Sequence, residues 1–285
     1  MPAADEKNIA IVCNPIAGSG KAVVIAASVV AALTEKNITY QFFKATWPDN
    51  FDGFTDVFIV GGDGTLNYFI NHYPLLQLPL VIFNGGTGND FHWLLYGTAT
   101  FDAQMQMALH HPAKPIDIGR CNEKYFINGV GIGFEGEVAR ALTGRKKWSG
   151  KTSFLITIIK KIFSYRSKNY VVQSAAFTGS GRKLLVDITN GKRAGGGFYI
   201  APEAKADDGL LDVVIANALT VLERLRYLPV IEKGRHLHLR FIKHFTTTKI
   251  TVASDTPIQY HLDGEYFEAQ QLSIELLPDK LNFRF

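Results

Sequence analysis

Residues 60–67 constrain the fold of this chain more than any other stretch. They read Val-Gly-Gly-Asp-Gly-Thr-Leu-Asn and follow an almost wholly apolar run, residues 56–60, of the kind found in buried parallel strands. Apolar residues at helical spacing then predict a helix over residues 66–73. A strand, a glycine turn and a helix in this order aim backbone N–H groups at an anion. Because glycine lets a phosphate approach the main chain, the sequence predicts a phosphate site here.

Asp63 lies in the middle of this glycine turn. A carboxylate there repels phosphate unless a Mg²⁺ ion or ordered water stands between them. The turn therefore favours a magnesium nucleotide over a bare anion. The alternative is an ordinary turn between strand and helix in which Asp63 caps a helix.

Two further turns have the same arrangement. Residues 14–21 link an apolar strand at 9–13 to a helix at 22–36, and residues 84–91 follow an apolar strand at 78–83. Strands that alternate with helices predict a parallel sheet with its ligand site at the carboxyl ends of the strands. We expect the three glycine-containing turns to converge on one crevice there.

Composition places the chain among soluble globular proteins. It has 285 residues, of which 47% are hydrophobic and 20% charged, so it can form two domains. The only two cysteines, Cys13 and Cys121, lie in or beside apolar runs, where buried thiols are typical of a reducing cytoplasm. No signal peptide is recognisable, and the longest uncharged apolar run, residues 22–34, is too short to span a bilayer.

The character of the sequence changes at about Pro115. Short, turn-bounded apolar segments follow, which predict a mostly antiparallel second domain, a sandwich or a barrel. One amphipathic helix is expected near residues 151–166. The predicted organisation is an α/β nucleotide-binding domain at 1–114, with 281–285 as a candidate for completing it, and a β-sandwich domain at 115–280.

Positive charge is concentrated in the second domain. The net charge is only +4, yet residues 138–186 hold eleven Lys or Arg and no Asp or Glu. This stretch is either a solvated basic face or a surface for anionic lipid or nucleic acid. Five of its basic residues are candidates for facing a membrane: Arg145, Lys146, Lys147, Lys160 and Lys161. The helix near 151–166 either packs its apolar stripe into the core or lies on a membrane surface.

Three shorter motifs have competing interpretations. Residues 131–136 match the G-x-G-x-x-G dinucleotide fingerprint, but no acidic residue follows about twenty positions later, so we interpret them as a structural turn. Asp207-Asp208-Gly209 indicates either a Mg²⁺ ligand or a polar loop. Asp263-Gly264-Glu265 predicts a hairpin turn, and Glu265 is then either solvated or a rigidly held functional carboxylate.

Taken together, these motifs resemble the catalytic domain shared by diacylglycerol kinases, sphingosine kinases and their bacterial lipid-kinase relatives. The motifs run in family order over nearly the whole chain: Asn14-Pro15 with Gly18, Gly61-Gly62-Asp63-Gly64-Thr65 with Asn67, Gly86-Thr87-Gly88-Asn89-Asp90-Phe91, Ile116-Asp117-Ile118-Gly119, Phe126-Ile127-Asn128 with Gly131-Ile132-Gly133-Phe134, Asn190-Gly191, Asp208-Gly209 and Asp263-Gly264-Glu265. The resemblance implies a first domain like that of phosphofructokinases and NAD kinases, followed by a β-sandwich.

The resemblance also implies a set of site residues. Those expected to hold ATP are Asn14, Gly18, Thr46, Gly61, Gly62, Asp63, Gly64, Thr65, Leu66, Asn67, Gly86, Thr87 and Asn89. Asp208 would bind Mg²⁺ with the carbonyls of Lys205 and Leu210. Glu265 would be the general base for the lipid hydroxyl, and Asp63 a second catalytic carboxylate.

The resemblance, together with the cysteine usage, thus implies a cytoplasmic kinase that moves the γ-phosphate of ATP to a lipid alcohol such as diacylglycerol. ATP and Mg²⁺ are the expected cofactors, and peripheral contact with the inner face of the membrane is expected. No nucleic-acid partner is expected, and a homodimer is left open. One residue departs from the family pattern, since Tyr68 stands where the family usually has Glu. An NAD kinase-like enzyme and a non-catalytic nucleotide- or lipid-binding homologue are the alternatives.

Overall fold

The structure is a computed structural model that describes residues 7–143 and 151–285, with only the backbone described at 151–153. The strands are β1 (Asn8–Cys13), β2 (Thr39–Lys44), β3 (Asp56–Gly61), β4 (Leu80–Asn84), β5 (Ala113–Cys121), β6 (Lys124–Phe126), β7 (Gly129–Gly133), β8 (Lys168–Ser174), β9 (Thr178–Thr189), β10 (Leu211–Asn217), β11 (Ile242–Thr247), β12 (Lys249–Leu262) and β13 (Glu265–Arg284). The helices are α1 (Lys21–Glu35), α2 (Asp63–His72), α3 (Asp90–Tyr96), α4 (Phe101–His110), α5 (Phe134–Leu142), α6 (Lys151–Ser164) and α7 (Val221–Glu232).

The chain forms two compact units. The first comprises Met1–Ile116 together with Lys280–Phe285, and the second comprises Asp117–Asp279. The end of β13 therefore belongs to the first unit, although the rest of that strand lies in the second.

The first unit is a parallel sheet covered by helices. Its strand order is β4-β3-β1-β2, and every neighbouring pair is parallel. All six residues of β3 are buried, because helices cover a parallel sheet of this kind on both faces. The carboxyl ends of β1, β3 and β4 point to the same edge, so the loops that follow them lie side by side. This architecture confirms the predicted α/β fold of the N-terminal part.

The C-terminal residues complete this sheet. Phe283 pairs in parallel with Leu80 of β4, and its ring lies 5.3 Å from that of Phe91. The Arg284 Nε donates to Oδ1 of the fully buried Asp56 at 2.5 Å, and Lys7 donates to its other oxygen at 3.1 Å. Two cations thus compensate one buried carboxylate, which a single partner would leave poorly satisfied.

One helical segment of the described residues, Ala17–Glu35, is long and apolar enough to cross a membrane when judged by length and composition alone. It exceeds the apolar run 22–34 of the sequence because a 3₁₀ turn, Ala17–Gly20, precedes α1. Core helices of soluble proteins pass the same test. In the first unit, α1 has a fully buried face formed by Ala22, Ala26, Val29 and Leu33.

The second unit is a largely antiparallel sheet that folds back on itself. Its strand order is β11-β10-β9-β7-β12-β13, and β8 pairs with both β9 and β12. The strands enclose a core of aliphatic and aromatic side chains, among them Phe126, Val130, Ile132, Tyr170, Val186, Ile188, Val213, Ile250, Val252, Leu272 and Ile274. The predicted sandwich-type fold of the C-terminal part is therefore confirmed.

Several strands of this unit are longer than their apolar segments. The segments at 249–253 and 258–262 form the single strand β12, with a bulge between Ala253 and Ile258. The segments at 266–267 and 272–276 likewise belong to the one strand β13. Cross-strand hydrogen bonds also pair polar residues, which an apolar sequence pattern does not detect. The apolar segments therefore predict only the buried parts of these strands.

Two helices of the second unit begin at short sequence motifs. The glycine motif at 131–136 leads from β7 directly into α5. A capping box opens α7: the Thr220 hydroxyl accepts from the Glu223 N–H at 3.3 Å, and the Glu223 carboxylate accepts from the Thr220 N–H at 2.8 Å.

The apolar stripe of α6 divides between core and surface. Ile158 and Ile162 are buried against Val138 and Phe198. On another face of the helix, Leu155, Ile156, Ile159 and Phe163 are exposed, Phe163 by 62%. The core interpretation therefore holds for the buried face, and contact of the exposed face with a membrane stays a prediction.

Candidate functional site

The three glycine-containing turns of the first unit meet at one edge of its sheet. A Cβ at Gly62 would lie 2.8 Å from the Cα of Gly86, and a Cβ at Gly85 would lie 2.8 Å from the Cβ of Ala22. Gly18, with φ +56, lies so near the Gly85 carbonyl oxygen that a Cβ would overlap it. These glycines are required because the loops pack against one another. Close packing of the turns is thus a second requirement for these glycines, and the approach of a phosphate to the central turn stays a prediction.

Gly64 differs from these neighbours. A Cβ at Gly64 would meet no atom within 4 Å, and its backbone is ordinary helix in the first turn of α2. The first N–H groups of a helix have no partner within the helix and carry its positive end. Gly64 is therefore the glycine of this turn that gives a ligand access to the main chain.

A hydrogen bond joins the first two turns. The Asn14 amide donates to Oγ1 of Thr65 at 3.0 Å, and the Asn14 N–H donates to the Val60 carbonyl at 3.1 Å. The Thr65 side chain occupies the space that a Cβ at Gly61 would need. Asn14, Gly61 and Thr65 thus fix the spacing of the turns after β1 and β3.

A cleft of about 470 Å³ opens beside these turns. Its lining combines amide, hydroxyl and aromatic groups, from Asn14, Pro15, Ala45, Thr46, Trp47, Thr65, Tyr68 and His72. Three of the predicted nucleotide contacts, Asn14, Thr46 and Thr65, are therefore brought together. The rings of Tyr68 and His72 stack with centroids 5.5 Å apart and an angle of 13°, and Trp47 meets Tyr68 edge-on at 5.5 Å. A pocket of this size and lining suits a planar heterocyclic ligand.

Asp63 is held by a helix other than its own. Its two carboxylate oxygens accept from the backbone N–H groups of Asp90 at 3.1 Å and Phe91 at 3.0 Å, in the first turn of α3. Both N–H groups lack partners within that helix, so the carboxylate satisfies them and faces the positive helix end. These contacts favour a positioning role that ties the second turn to the third, and they leave the catalytic role of Asp63 a prediction.

The remaining predicted nucleotide residues lie around the same turns. Leu66 is fully buried, and its N–H donates to the Gly62 carbonyl at 3.1 Å. The side chain of Asn67 is buried on α2, whereas Thr87 is exposed on the third turn. Asn89 closes that third turn, because its side chain accepts from the Gly86 N–H at 2.9 Å and donates to the Gly86 carbonyl at 3.0 Å.

The predicted metal-binding turn lies in the second unit. Asp208 is exposed, and its Oδ1 accepts from the Leu210 N–H at 3.1 Å. Partial burial of the carboxyl group, together with the nearby carboxylates of Asp212 and Asp117, raises the pKa of Asp208 against the opposing effects of the Leu210 N–H and of Lys205. Negative charge at this turn is therefore not fully compensated by the protein.

No group of three or more His, Cys, Asp or Glu side chains in the described part of the chain is arranged to hold a metal ion. A cation at Asp208 must therefore complete its coordination with carbonyl oxygens or water. The predicted donor set of one carboxylate and the carbonyls of Lys205 and Leu210 is of that kind, and hard oxygen donors are those that Mg²⁺ prefers.

The hairpin expected at Asp263-Gly264 is present. Both residues have positive φ, +48 and +91, as a tight two-residue hairpin requires, and Leu262 pairs with Glu265 across the turn. The Asp263 carboxylate accepts from three consecutive N–H groups, those of residues 127–129, at 2.8–2.9 Å. Glu265 follows this fixed turn, and its side chain is exposed.

A chain of hydrogen bonds joins the Asp208 turn to the Glu265 turn. The Gly209 N–H donates to the Asp117 carboxylate at 2.8 Å. The fully buried Asn190 donates to the carbonyls of Asp117 at 2.8 Å and Ile127 at 3.1 Å. The backbone N–H of Ile127 in turn donates to the Asp263 carboxylate at 2.9 Å. Several residues of the resemblance therefore act as tethers that place the two carboxylates.

Sequence reasoning missed the aromatic wall of the cleft and these tethers. Trp47 and His72 carry no local motif, because their role depends on the packing of α2 against the loop after β2. Asp117 and Asn190 stand in motifs of the resemblance, yet the partners described above lie 63 residues away or more along the chain. Only the folded chain identifies such partners.

Comparisons with known proteins agree with this geometry. Residues 8–121 match the family model described as the diacylglycerol kinase catalytic domain, and residues 128–284 match the YegS C-terminal NAD kinase beta sandwich-like domain. The chain belongs to the YegS-like lipid kinase family. This confirms the resemblance to lipid kinases of the bacterial type and identifies the chain as a member of a kinase family.

Individual relatives support the same assignment. A Pseudomonas putida protein named "Probable lipid kinase YegS-like" is 30% identical over 81% of this chain and 77% of its own length. A Shewanella frigidimarina protein of the same name is 29% identical over 80% of this chain and 75% of its own length. Two solved structures from Bacillus anthracis strain Sterne share the fold, with TM-scores of 0.78 and 0.69 at 23% and 21% identity. The first covers 100% of this chain and 98% of its own. The second covers 98% of this chain and 97% of its own, and it is named a diacylglycerol kinase.

Proposed function

We propose that this family member transfers the γ-phosphate of ATP to the hydroxyl of a lipid, with diacylglycerol as the first candidate. The cleft of the first unit is the observation that carries the proposal. It brings an amide, two hydroxyls and an aromatic wall together beside the first turn of α2, where Gly64 is exposed. Family membership supplies the class of reaction, and the cleft supplies a place for the nucleotide.

The nucleotide is proposed to bind with its base against the aromatic wall and its phosphates near Gly64. Asn14, Thr46 and Thr65 offer polar groups at the entrance of the cleft. The positive end of α2 favours the negative charge of the phosphates. Gly61, Gly62, Gly18 and Gly86 contribute by letting the three turns pack closely rather than by contacting the ligand.

Magnesium is proposed at the Asp208 turn, with the carbonyls of Lys205 and Leu210. The raised pKa of Asp208, caused by burial and by Asp212 and Asp117, indicates a site where a cation would relieve repulsion between carboxylates. When bound, Mg²⁺ would neutralise negative charge. Asp117 and Asn190 would hold the turn in place for it.

Glu265 is proposed as the general base. Phosphoryl transfer to an alcohol needs alignment and a group that accepts the hydroxyl proton. A carboxylate that directly follows a fixed two-residue turn has its main chain held in place, which is the prepositioning that proton abstraction requires. The Asp263 carboxylate provides this fixation through its three N–H donors.

Peripheral contact with an anionic membrane is proposed for the exposed face of α6. This face carries Leu155, Ile156, Ile159 and Phe163, and the exposed Lys160 lies on the same helix. Apolar groups with adjacent positive charge suit the interface of an anionic bilayer. Lys161 is excluded from this surface, because it forms an ion pair with Glu137 at 2.9 Å. Arg145, Lys146 and Lys147 lie outside the described residues.

One assay separates the proposed function from its alternatives. Purified protein is supplied with ATP, Mg²⁺ and either diacylglycerol, sphingosine, monoacylglycerol or NAD, and both ADP release and phosphorylated product are measured. Phosphorylation of a lipid supports the proposal. Phosphorylation of NAD would instead assign an NAD kinase-like enzyme, and ATP binding without turnover on any acceptor would assign a non-catalytic homologue.

A further inference from the structure

We propose that His261 is a positioning residue that fixes the turn carrying Glu265, and that Glu135 sets the tautomer His261 needs for this. The inference rests on the proposed role of Glu265 as general base. It arises from a pair of hydrogen bonds through one imidazole ring, in a part of the second unit that the glycine motif at 131–136 builds.

The two ring nitrogens of His261 have different partners. The backbone N–H of Gly264 donates to Nδ1 at 3.2 Å, so Nδ1 must carry a lone pair rather than a proton. The proton of the neutral ring therefore lies on Nε2, which donates to the Glu135 carboxylate at 3.1 Å. Glu135 thus stabilises the one tautomer that can accept from Gly264.

The strand register accounts for the placement of this pair. His261 on β12 lies directly opposite Gly131 on β7, which in turn lies opposite Asp187 on β9. A Cβ at Gly131 would overlap both the Glu135 carboxylate and the His261 ring. Because residue 131 has no side chain, the Glu135 carboxylate and the His261 ring can come within hydrogen-bonding distance of each other. The motif that looks like a dinucleotide fingerprint has this structural purpose.

The surroundings make the hydrogen bond strong. The side chains of His261 and Glu135 are only 13% and 19% exposed, so water competes weakly for their groups. Asp187 is almost fully buried nearby, and burial together with the Glu135 charge raises its pKa well above the ordinary value.

The turn that carries Glu265 is consequently fixed at both of its residues. Asp263 is held through its side chain by residues 127–129, and Gly264 is held through its N–H by His261. If the second contact is lost, Gly264 keeps the freedom that its positive φ and missing side chain allow. The direction of Glu265 then varies, and the rate of proton abstraction falls while nucleotide binding is unaffected.

The test uses two matched substitutions of His261. His261→Asn keeps an oxygen acceptor at the δ position but loses the ε donor, and His261→Gln keeps the ε donor but loses the δ acceptor. We expect His261→Gln to lower kcat about 10- to 100-fold, as misplacement of a catalytic group does, whereas His261→Asn retains most of the turnover. ATP affinity and melting temperature should be the same in both variants. His110→Gln, at an exposed helix end, is the matched control.

A second pair tests the role of Glu135. In Glu135→Gln the amide oxygen can still accept the hydrogen bond from the His261 Nε2–H, whereas the leucine side chain in Glu135→Leu has no acceptor. The ¹⁵N shifts of the His261 ring should report a protonated Nε2 in wild type and in Glu135→Gln. In Glu135→Leu we expect a mixture of tautomers, faster hydrogen exchange at the Gly264 amide and a reduced kcat.

The outcomes are distinguishable. If Glu265→Gln turns over as wild type does, Glu265 is not the base, and the proposed mechanism and this inference both fail. If Glu265→Gln is inactive but His261→Gln and His261→Asn match wild type, the inference alone is overturned. A loss of kcat that is equal in His261→Asn and His261→Gln, with lower melting temperatures, would also overturn it, since it would show only a structural role.

Discussion

Two glycines of the central turn should respond to alanine in opposite ways. Gly62 and Gly64 are two residues apart, and sequence alone treats them as equivalent members of a phosphate loop. In the structure, Gly62 faces the Cα of Gly86, whereas Gly64 faces open space. We therefore predict that Gly62→Ala destabilises the first unit and that Gly64→Ala stabilises it but weakens nucleotide binding.

The expected magnitudes follow from the contacts. At Gly62, a Cβ 2.8 Å from a backbone carbon forces two loops apart, and overpacking of this kind costs about 1–3 kcal/mol. At Gly64, the backbone is helical, so alanine gains up to about 1 kcal/mol through reduced freedom of the unfolded chain. The same methyl group at Gly64 stands where a phosphate would approach, and we expect ATP affinity to fall at least about tenfold, or 1.4 kcal/mol.

Two measurements on each variant are sufficient. Urea unfolding followed by circular dichroism gives the free energy of unfolding, and calorimetry with ATP in excess Mg²⁺ gives the dissociation constant. Gly64→Ala should be the unusual case in which stability rises and affinity falls. Gly62→Ala should lose stability first and should lose affinity only as far as the loops are displaced.

Either half can be refuted separately. Full ATP affinity in a stable Gly64→Ala protein would show that no phosphate approaches that turn. A Gly62→Ala protein as stable as wild type would show that the loops have room for a methyl group, contrary to the packing at Gly86.

Three further predictions concern the second unit. Asp208→Asn should raise the Mg²⁺ concentration that gives half-maximal activity, measured by magnesium titration at saturating ATP; an unchanged titration would remove Asp208 from the metal site. Burial and the charge of Glu135 raise the pKa of Asp187 in the folded protein. Above pH about 3.8, the ordinary pKa of Asp, the unfolded chain releases a proton that the folded chain retains. The free energy of unfolding therefore falls as the pH rises above that value. The stability advantage of Asp187→Asn over wild type should therefore grow between pH 4 and pH 7 in urea unfolding, and parallel pH profiles would contradict this. Ile159→Ser with Phe163→Ser should reduce sedimentation with anionic vesicles and leave activity on detergent-dispersed lipid unchanged, whereas equal sedimentation would show that α6 does not contact the membrane.

Local patterns predicted those parts of the fold that local energies determine. The capping box at Thr220 predicts the start of α7 because its donors and acceptors lie within three residues of one another. The strand–turn–helix units of the first unit are likewise visible, since their apolar strands and glycines are consecutive. The two-residue hairpin at Asp263 follows from turn chemistry alone.

Long-range contacts account for what the sequence could not predict. Asp63 was expected to cap a helix or stand near phosphate, but its carboxylate binds N–H groups 27 and 28 residues away. The glycines of the central turn similarly divide into Gly61 and Gly62, whose Cβ positions are occupied by neighbouring atoms, and Gly64, which faces open space. Neither distinction is encoded in spacing, because both depend on which loops the sheet brings together.

Tyr68 illustrates how a departure from the family pattern becomes interpretable in the structure. The sequence shows only that the usual Glu is absent. In the fold, the ring of Tyr68 is 56% exposed on the wall of the cleft, stacked on His72 and meeting Trp47 at its edge. A large exposed aromatic ring is unfavourable in water and gains when a planar ligand covers it. The substitution therefore removes a negative charge from the cleft and adds a stacking surface in its place.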